Sequence, residues 1–242
     1  MKRILILGGT GLARQLAETL QDVPDIWFIS SLAGRTERPA PLAGEIRRGG
    51  FGGDAGLLRY LRDERISHLV VAVHPFANVM ASTAAKVAAQ LELPICRLRP
   101  APWVASPGEA WTKVKSPSAA AEALPANSVA LMTTGHRDLG CFLARNDCRL
   151  IVRLIDPPQL PLPDHAQLIL DRPPYSLNQE RRLMQQHGVS HLVTKNAGGQ
   201  VGRAKLSAAL ELGVQVIMVQ RPKDPVQPNF ETPAEVLNWL QI

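Results

Sequence analysis

The stretch MKRILILGGTGLARQLAETL, residues 1–20, sets an aliphatic run at Ile4, Leu5, Ile6 and Leu7 directly before Gly8-Gly9-Thr10-Gly11, then repeats leucine at Leu12, Leu16 and Leu20. An unbroken aliphatic run ended by glycine reads as a strand buried on both faces, and leucine every fourth residue marks one face of a helix. Strand, glycine turn and helix in this order open the dinucleotide-binding folds, where N–H groups at the helix N-terminus hold a phosphate. The loop is not a strict G-x-G-x-x-G, but Ala13 stands where close helix packing needs a small side chain. Gly8, Gly9, Thr10 and Gly11 are therefore the first candidate cofactor residues.

Downstream, residues 26–30, 45–47, 68–73 and 95–98 read as strands. Residues 57–64, opened by Asp54 as a cap, and about 80–91 read as helices. Strands alternating with helices predict a mostly parallel sheet covered on both faces. The segment APWVASPGEAWTKVKSPSA then breaks the rhythm with proline and serine, and Ser116-Pro117 looks like the cap and first residue of a new helix. A boundary there divides the chain into an N-terminal domain, 1–105, and a C-terminal domain, 106–242.

Five more strands are expected after it, at 129–133, 150–155, 167–170, 191–194 and 215–219. The halves also resemble each other: ISHLVV (66–71) has a counterpart in VSHLVT (189–194), and LELPICRLRP in LELGVQVIMVQRP. Ser67 and Ser190 have nearly the same separation as Pro100 and Pro222, which argues for internal repetition. The expected fold is α/β, two Rossmann-like, doubly wound parallel-sheet domains with a cleft between the carboxyl ends of their strands, where such folds bind ligands. The repeat leaves open whether terminal strands exchange between the halves. The ending ETPAEVLNWLQI reads as an ordered helix with a capping box at Thr232 and Glu235 and Pro233 in its first turn.

Dinucleotide sites carry an acidic residue roughly 20 positions after the glycines, which binds the ribose 2′-hydroxyl; arginine there accommodates a 2′-phosphate. Here the position falls at Ser30 and Ser31, with Arg35 just beyond and no carboxylate until Glu37. A guanidinium pairs with phosphate through charge-assisted hydrogen bonds where a carboxylate would repel it. The sequence thus predicts NADPH rather than NADH, with Ser31 and Arg35 at its adenosine end.

Three further motifs lie at expected carboxyl ends of strands. GGFGG, 49–53, permits unusual backbone angles and close approach to a ligand at Gly52, while Phe51 either faces a flat ring or tucks into the core. HPFA, 74–77, supplies His74 to orient a ligand or move a proton, with Phe76 beside it. KNAGG, 195–199, brings Lys195 and Asn196 toward the cleft beside Gly198 and Gly199, a cation and bare N–H groups suited to an anionic ligand, with Arg221 adding charge. His68 and His191, inside strands, read as structural.

Composition narrows the class. Lys and Arg exceed Asp and Glu by 27 to 21, a charge of +6 spread along the chain that suits a polyanionic ligand. Aromatic residues make up only 5%, few for base stacking, and no nucleic-acid motif accompanies the charge, so a nucleic-acid partner is not expected. Three cysteines without a CxxC pair predict neither a disulfide framework nor a metal site. With no leader-like or membrane-spanning segment, a reducing cytoplasm is the expected location. There is no GxxxxGK[ST], GxSxG or HExxH signature, which disfavours an NTPase, a serine hydrolase and a zinc enzyme.

Taken in order, LILGGT, SLAGRT, GGFGG, HPFA, LRPAPW, TTG, KNAGG and VIMVQRP resemble the motif ladder of the precorrin-6A reductase family of cobalamin biosynthesis, over nearly the whole chain. The resemblance implies an oxidoreductase that transfers a hydride from NADPH to the C18–C19 double bond of a tetrapyrrole, precorrin-6A, giving precorrin-6B. It further implies that Gly8, Gly9 and Thr10 hold the cofactor phosphates, with Ser31, Arg35 and Thr36 near the adenosine. Gly135, Lys195, Asn196, Gly198 and Gly199 would line the substrate side. One departure stands out: the family's D-A-T-H-P-F-A has Val71 and Val73 here in place of aspartate and threonine, while His74 and Phe76 remain. A different class, a non-catalytic NADP(H)-binding sensor, also opens on GGTG; the KNAGG loop argues against it, since a sensor needs no second anion-binding wall.

Overall fold

The computed structural model describes residues 1–33 and 42–242. They fall into two compact units, Met1–Ala101 with Pro222–Ile242, and Pro102–Arg221.

In the first unit, β1 (Lys2–Leu7), α1 (Gly11–Leu20), β2 (Ile26–Leu32), β3 (Glu45–Arg48), α2 (Asp54–Asp63), β4 (His68–Val71), α3 (Asn78–Gln90) and β5 (Ile95–Leu98) follow in chain order. The first strand shows why its sequence is aliphatic throughout. Ile4 and Ile6 bury on one face against Ala13, Leu16, Ala17 and Leu20 of α1, and Leu5 and Leu7 on the other against Leu57, Leu61, Ala84 and Val87 of α2 and α3. Each fully buried leucine contributes about 1.5–3 kcal/mol. Thr10 starts α1 by accepting a hydrogen bond from the Ala13 N–H at 3.2 Å, the N-cap geometry such helices favour.

The second unit contains β6 (Trp111–Val114), α4 (Pro117–Glu122), β7 (Val129–Met132), a 3-10 turn (His136–Asp138), α5 (Leu139–Leu143), β8 (Arg149–Leu154), β9 (Ala166–Leu170), α6 (Leu177–His187), β10 (His191–Lys195), α7 (Ala204–Glu211) and β11 (Gln215–Val219). The chain then returns to the first unit as β12 (Asn229–Phe230) and α8 (Pro233–Leu240).

Both sheets are six-stranded, ordered β12-β5-β4-β1-β2-β3 and β6-β11-β10-β7-β8-β9, and every paired strand is parallel. This is the dinucleotide-fold winding twice over. The order reverses between β1 and β4 in one sheet and between β7 and β10 in the other, and ligands of such sheets bind at that reversal.

The division expected between residues 105 and 106 is corrected on two points. The first unit ends at Ala101, and Pro222–Ile242 belongs to it rather than to the second. Terminal strands do exchange: the strand following β5 in the chain joins the second sheet beside β11, and the strand following β11 joins the first sheet beside β5. Each is followed by a helix with the same start, Ser116-Pro117 for α4 and Thr232-Pro233 for α8. Val236 and Leu240 of α8 are fully buried in the core of the first unit.

Candidate functional site

At the reversal point of the first sheet, the turn after β1 is open where a ligand would enter. Gly9 has φ +115°, and an added Cβ at Gly9 or Gly11 would meet no atom of the described residues within 4 Å. Thr10 fastens the turn: its hydroxyl donates to the Ala72 carbonyl at 2.8 Å, while Gly8 N–H donates to Ser31 O at 2.9 Å. The next two N–H groups of the helix, on Gly11 and Leu12, have no acceptor among the described residues. Bare N–H groups at the positive end of a helix, under space that no side chain fills, are the requirements of a phosphate cradle.

Ser30 and Ser31 lie within β2 and are buried, and no carboxylate occupies the described end of that strand. Arg35 and Thr36 lie outside the described residues. Beside Ser31 in the sheet stands Arg47, which the sequence reading missed. Its guanidinium donates to the carbonyls of Gly49 and Gly50 at 2.6 and 2.9 Å and reaches Ser31 Oγ at 3.4 Å.

Arg47 also covers the Phe51 ring at 3.9 Å, and Phe51 meets Tyr60 edge-on at 5.2 Å. Of the two readings of Phe51, the structure takes the packed one: the ring lies against the core of the first unit. Gly52, φ +79°, has open space around it. In the same run Gly56 is required for packing, since a Cβ there would lie 1.6 Å from the Phe51 carbonyl oxygen.

His74 is exposed just beyond β4. Its Nδ1 accepts from the Phe76 N–H at 3.3 Å, which places the proton of the neutral ring on Nε2. Behind it lies Arg97, 1% exposed. A charge so buried requires partners, and Arg97 donates to Val71 O at 2.7 Å, to His74 O at 3.4 Å and to the Asp224 carboxylate at 2.8 Å. Arg99 shares that carboxylate at 2.9 Å. The His74 turn is thus held from below by an ion pair whose acid comes from the returning C-terminal segment.

At the reversal point of the second sheet, Gly135, Gly198 and Gly199 all have positive φ, 86°, 71° and 73°. Lys195 extends across the carboxyl ends of β10 and β7, donating to Thr134 O at 2.7 Å and pairing with Asp138. The Asn196 side chain is taken up by the chain itself. Its Oδ1 accepts from Trp103 N at 2.8 Å and its Nδ2 donates to Trp103 O at 2.9 Å, in a buried setting. Arg221 donates to the carbonyls of Asn196 and Ala197, both at 2.7 Å, and the Trp103 indole donates to Gly199 O at 2.7 Å. Asn196 and Arg221 therefore fasten the KNAGG loop from within. Lys195 has Asp138 to neutralise it, so the loop presents its glycine backbone more than a bare cation.

A family model described as precorrin-6x reductase CbiJ/CobK matches residues 3–241. The chain belongs to that family. A precorrin-6A reductase from Rhodococcus erythropolis is 41% identical over 237 residues, 98% of this chain and 95% of its own. One from Rhodobacter capsulatus is 40% identical over 243 residues, 99% and 96% of the two chains. A cobalt-precorrin-6A reductase from Priestia megaterium is 32% identical over 195 residues, 75% of each chain. The solved CobK precorrin-6A reductase superposes with a TM-score of 0.94 at 40% identity, covering 100% of this chain and 96% of that one. This precorrin-6x reductase relative thus carries two Rossmann-like units, and no helix among its described residues is long and apolar enough to cross a membrane. Among those residues no cluster of His, Cys, Asp and Glu could hold a metal ion.

Four residues of the two reversal points escaped the sequence reading: Arg47, Trp103, Asp138 and Lys205. Trp103 lies in the proline- and serine-rich stretch where the domain boundary is expected, and Asp138 in a turn for which the sequence offers no motif. Lys205 did leave a signal, a lysine in the first turn of α7, where the helix dipole disfavours a cation.

Proposed function

We propose that the chain reduces precorrin-6A to precorrin-6B at the C18–C19 double bond, consuming NADPH and a proton and releasing NADP⁺. The observation that carries the cofactor half is the turn at Gly9–Gly11, where the N–H groups of Gly11 and Leu12 have no acceptor among the described residues and an added Cβ at Gly9 or Gly11 would meet no described atom within 4 Å. Bound there, the cofactor supplies a hydride. Gly8, Gly9, Thr10 and Gly11 hold its pyrophosphate against the N-terminus of α1. The absence of a carboxylate at the described end of β2 favours a 2′-phosphate, with Ser31, Arg35 and Thr36 toward the adenosine and Arg47 beside Ser31.

The chain's remaining tasks are to orient the macrocycle, exclude water and supply the proton that accompanies the hydride. Positioning reacting atoms is worth several kcal/mol by itself, which fits a site without a nucleophile. We assign proton delivery to His74, whose Nε2 carries the proton of the neutral ring. Phe76 lies beside it, ring centroids 5.9 Å apart. Gly52 borders the first unit's site, and the backbone at Gly135, Gly198 and Gly199, with Lys195 behind it and Asn196 and Arg221 fixing the loop, receives the carboxylates of the substrate. Metal-free precorrin-6A is the preferred substrate. The relatives named precorrin-6A reductase match nearly the full chain at 40–41% identity, against 32% over 75% for the one named cobalt-precorrin-6A reductase. A cytoplasmic location accompanies this reading, in keeping with free cysteines at Cys96, Cys141 and Cys148.

The deciding experiment follows the NADPH absorbance band when the purified protein meets precorrin-6A, with NADH in parallel and an Arg35→Ala variant alongside. Oxidation that depends on the macrocycle, is slower with NADH and is weakened by R35A supports the reaction and the cofactor choice together. If NADPH binds and is never consumed, with either metal-free or cobalt-containing substrate, the chain is a nucleotide sensor and the reductase reading is wrong.

A further inference from the structure

The second unit holds a buried ionic cluster beside the KNAGG loop that the reaction as described does not use. Arg153 on β8 and Glu180 on α6, both buried, form a two-armed pair at 2.9 and 3.0 Å, and the Tyr175 ring stacks 4.1 Å from the guanidinium carbon. That pair is neutral as it stands. Next to it is Lys205, on the first turn of α7, with its ammonium 5.2 Å from the centre of the Trp103 ring. Lys205 is only partly exposed and makes no hydrogen bond or ion pair among the described residues. The neighbouring cations Lys195 and Arg203 each have a carboxylate, Asp138 and Glu109 respectively.

Several features work against the charge on Lys205. The helix dipole repels it. Burial, with Arg153 adding repulsion that Glu180 only partly offsets, brings its pKa down from 10.5 to about 8. The surroundings are also built closely around it: a Cβ on Gly202 would stand 3.3 Å from the Lys205 nitrogen and 2.8 Å from Cη2 of Trp103. Trp103 is in turn anchored by its indole N–H on Gly199 O and by its main chain on Asn196. An ammonium kept half-buried and without a carboxylate partner among the described residues has the Trp103 ring as its main favourable contact, and that ring is tied to the ligand loop.

We propose that Lys205 is a carboxylate-binding subsite, which receives an acetate or propionate group of the tetrapyrrole over the Trp103 face. This rests on the reductase reading above and deepens it: substrate selection resides partly in a lysine on α7, behind the glycines of the loop. A carboxylate placed there would supply the missing counter-charge through a charge-assisted bond and raise the lysine's pKa again, so binding would take up a proton at alkaline pH. Arg153 and Glu180 lie close enough to act on the charge of Lys205, and Tyr175 stacks on Arg153. Burial pushes Tyr175 up to about 12, whereas Lys205 is brought down to about 8, so the pH dependence expected of the subsite is that of the lysine.

The test compares wild type with Lys205→Met and Lys205→Arg, using the full-length protein, precorrin-6A and NADPH. For K205M we expect KM for precorrin-6A to rise at least tenfold with kcat within about threefold of wild type, an unchanged NADPH affinity, and a melting temperature equal to or above wild type. K205R should recover most of the affinity. Macrocycle affinity of wild type should fall as pH rises from 8 to 10, and that of K205M should stay flat. A K205M protein with wild-type KM and the wild-type pH profile overturns the subsite, as does one whose melting temperature drops, since that would make the lysine structural. A wild type that neither binds nor reduces precorrin-6A fails at the earlier step and removes the reductase reading itself.

Discussion

A methyl group at Gly11 would point into open space, and the residue is not among the glycines with positive φ. As an ordinary helix start, Gly11→Ala should therefore leave folding intact or improve it by up to about 1 kcal/mol, because alanine is the better helix former. As a phosphate cradle, the same change places a methyl where the cofactor must approach. We expect NADPH affinity to fall at least tenfold in a fluorescence titration while the melting temperature holds; unchanged affinity would reduce the turn to mere punctuation. His74→Asn makes a second residue-scale case. Asparagine can still accept from the Phe76 N–H but cannot carry a proton at neutral pH, so kcat should drop about 10²-fold with NADPH binding retained. Turnover within threefold of wild type would return the proton to solvent. Of these residues, the glycine turn and His74 were legible in sequence because local order alone puts them after strands. Arg47 and Trp103 were not, because their partners are brought to them only by pairing and packing.

Among the elements, α8 shows how much a short local signal can carry. Thr232 accepts from Glu235 N–H at 3.3 Å, and the Glu235 carboxylate accepts from the N–H groups of Glu231 and Thr232 at 2.8 and 2.9 Å, the capping box read from ETPAE. Thr232→Ala should cost about 1 kcal/mol, or roughly 2–4 °C of melting temperature in a protein of this size. The backbone hydrogen bonds lower the pKa of Glu235 below its ordinary 4.5. A carboxyl whose folded pKa is depressed stabilises the fold above its unfolded pKa, and that stabilisation is lost as pH falls through the folded value. The difference in melting temperature between wild type and Glu235→Gln should therefore be present at pH 7 and shrink below about pH 4.5; a constant gap would mean that the carboxylate does not cap the helix. Other elements were hidden. The strands β6 and β12 read as WTKV and as a bare Asn-Phe pair. Neither has an aliphatic run, because an edge strand has only one hydrogen-bonded neighbour and part of its surface faces away from the core.

For the whole molecule, the C-terminal segment is the unusual member, since Pro222–Ile242 completes a unit that begins at Met1. It contributes the sixth strand, the buried Val236 and Leu240, and Asp224, 4% exposed, which pairs with both Arg97 and Arg99. Asp224→Asn leaves a buried guanidinium without its counter-charge, a change that typically costs about 3–5 kcal/mol. We expect a large fall in melting temperature, and reduced kcat in whatever folded protein remains, because Arg97 also holds the His74 turn. Loss of stability smaller than 1 kcal/mol would show that the pair is dispensable.

The sequence alone determined the alternation of strand and helix, the parallel α/β class, the repetition of one winding and the glycine turns that end the principal strands. These depend on periodicity, burial on two faces and turn chemistry, all of which act within some twenty residues. It could not decide which sheet an edge strand joins. A two- to four-residue strand has too little hydrophobic surface to choose by itself, so the choice depends on what the rest of the chain has already folded. Nor could it reveal that Asn196 fastens a loop, that Asp138 neutralises Lys195, or that Lys205 stands beside a neutralised pair without an ion-pair partner among the described residues. Whether a polar side chain meets a ligand or another part of the protein is a matter of distance between residues far apart in the chain, and only the tertiary structure sets those distances.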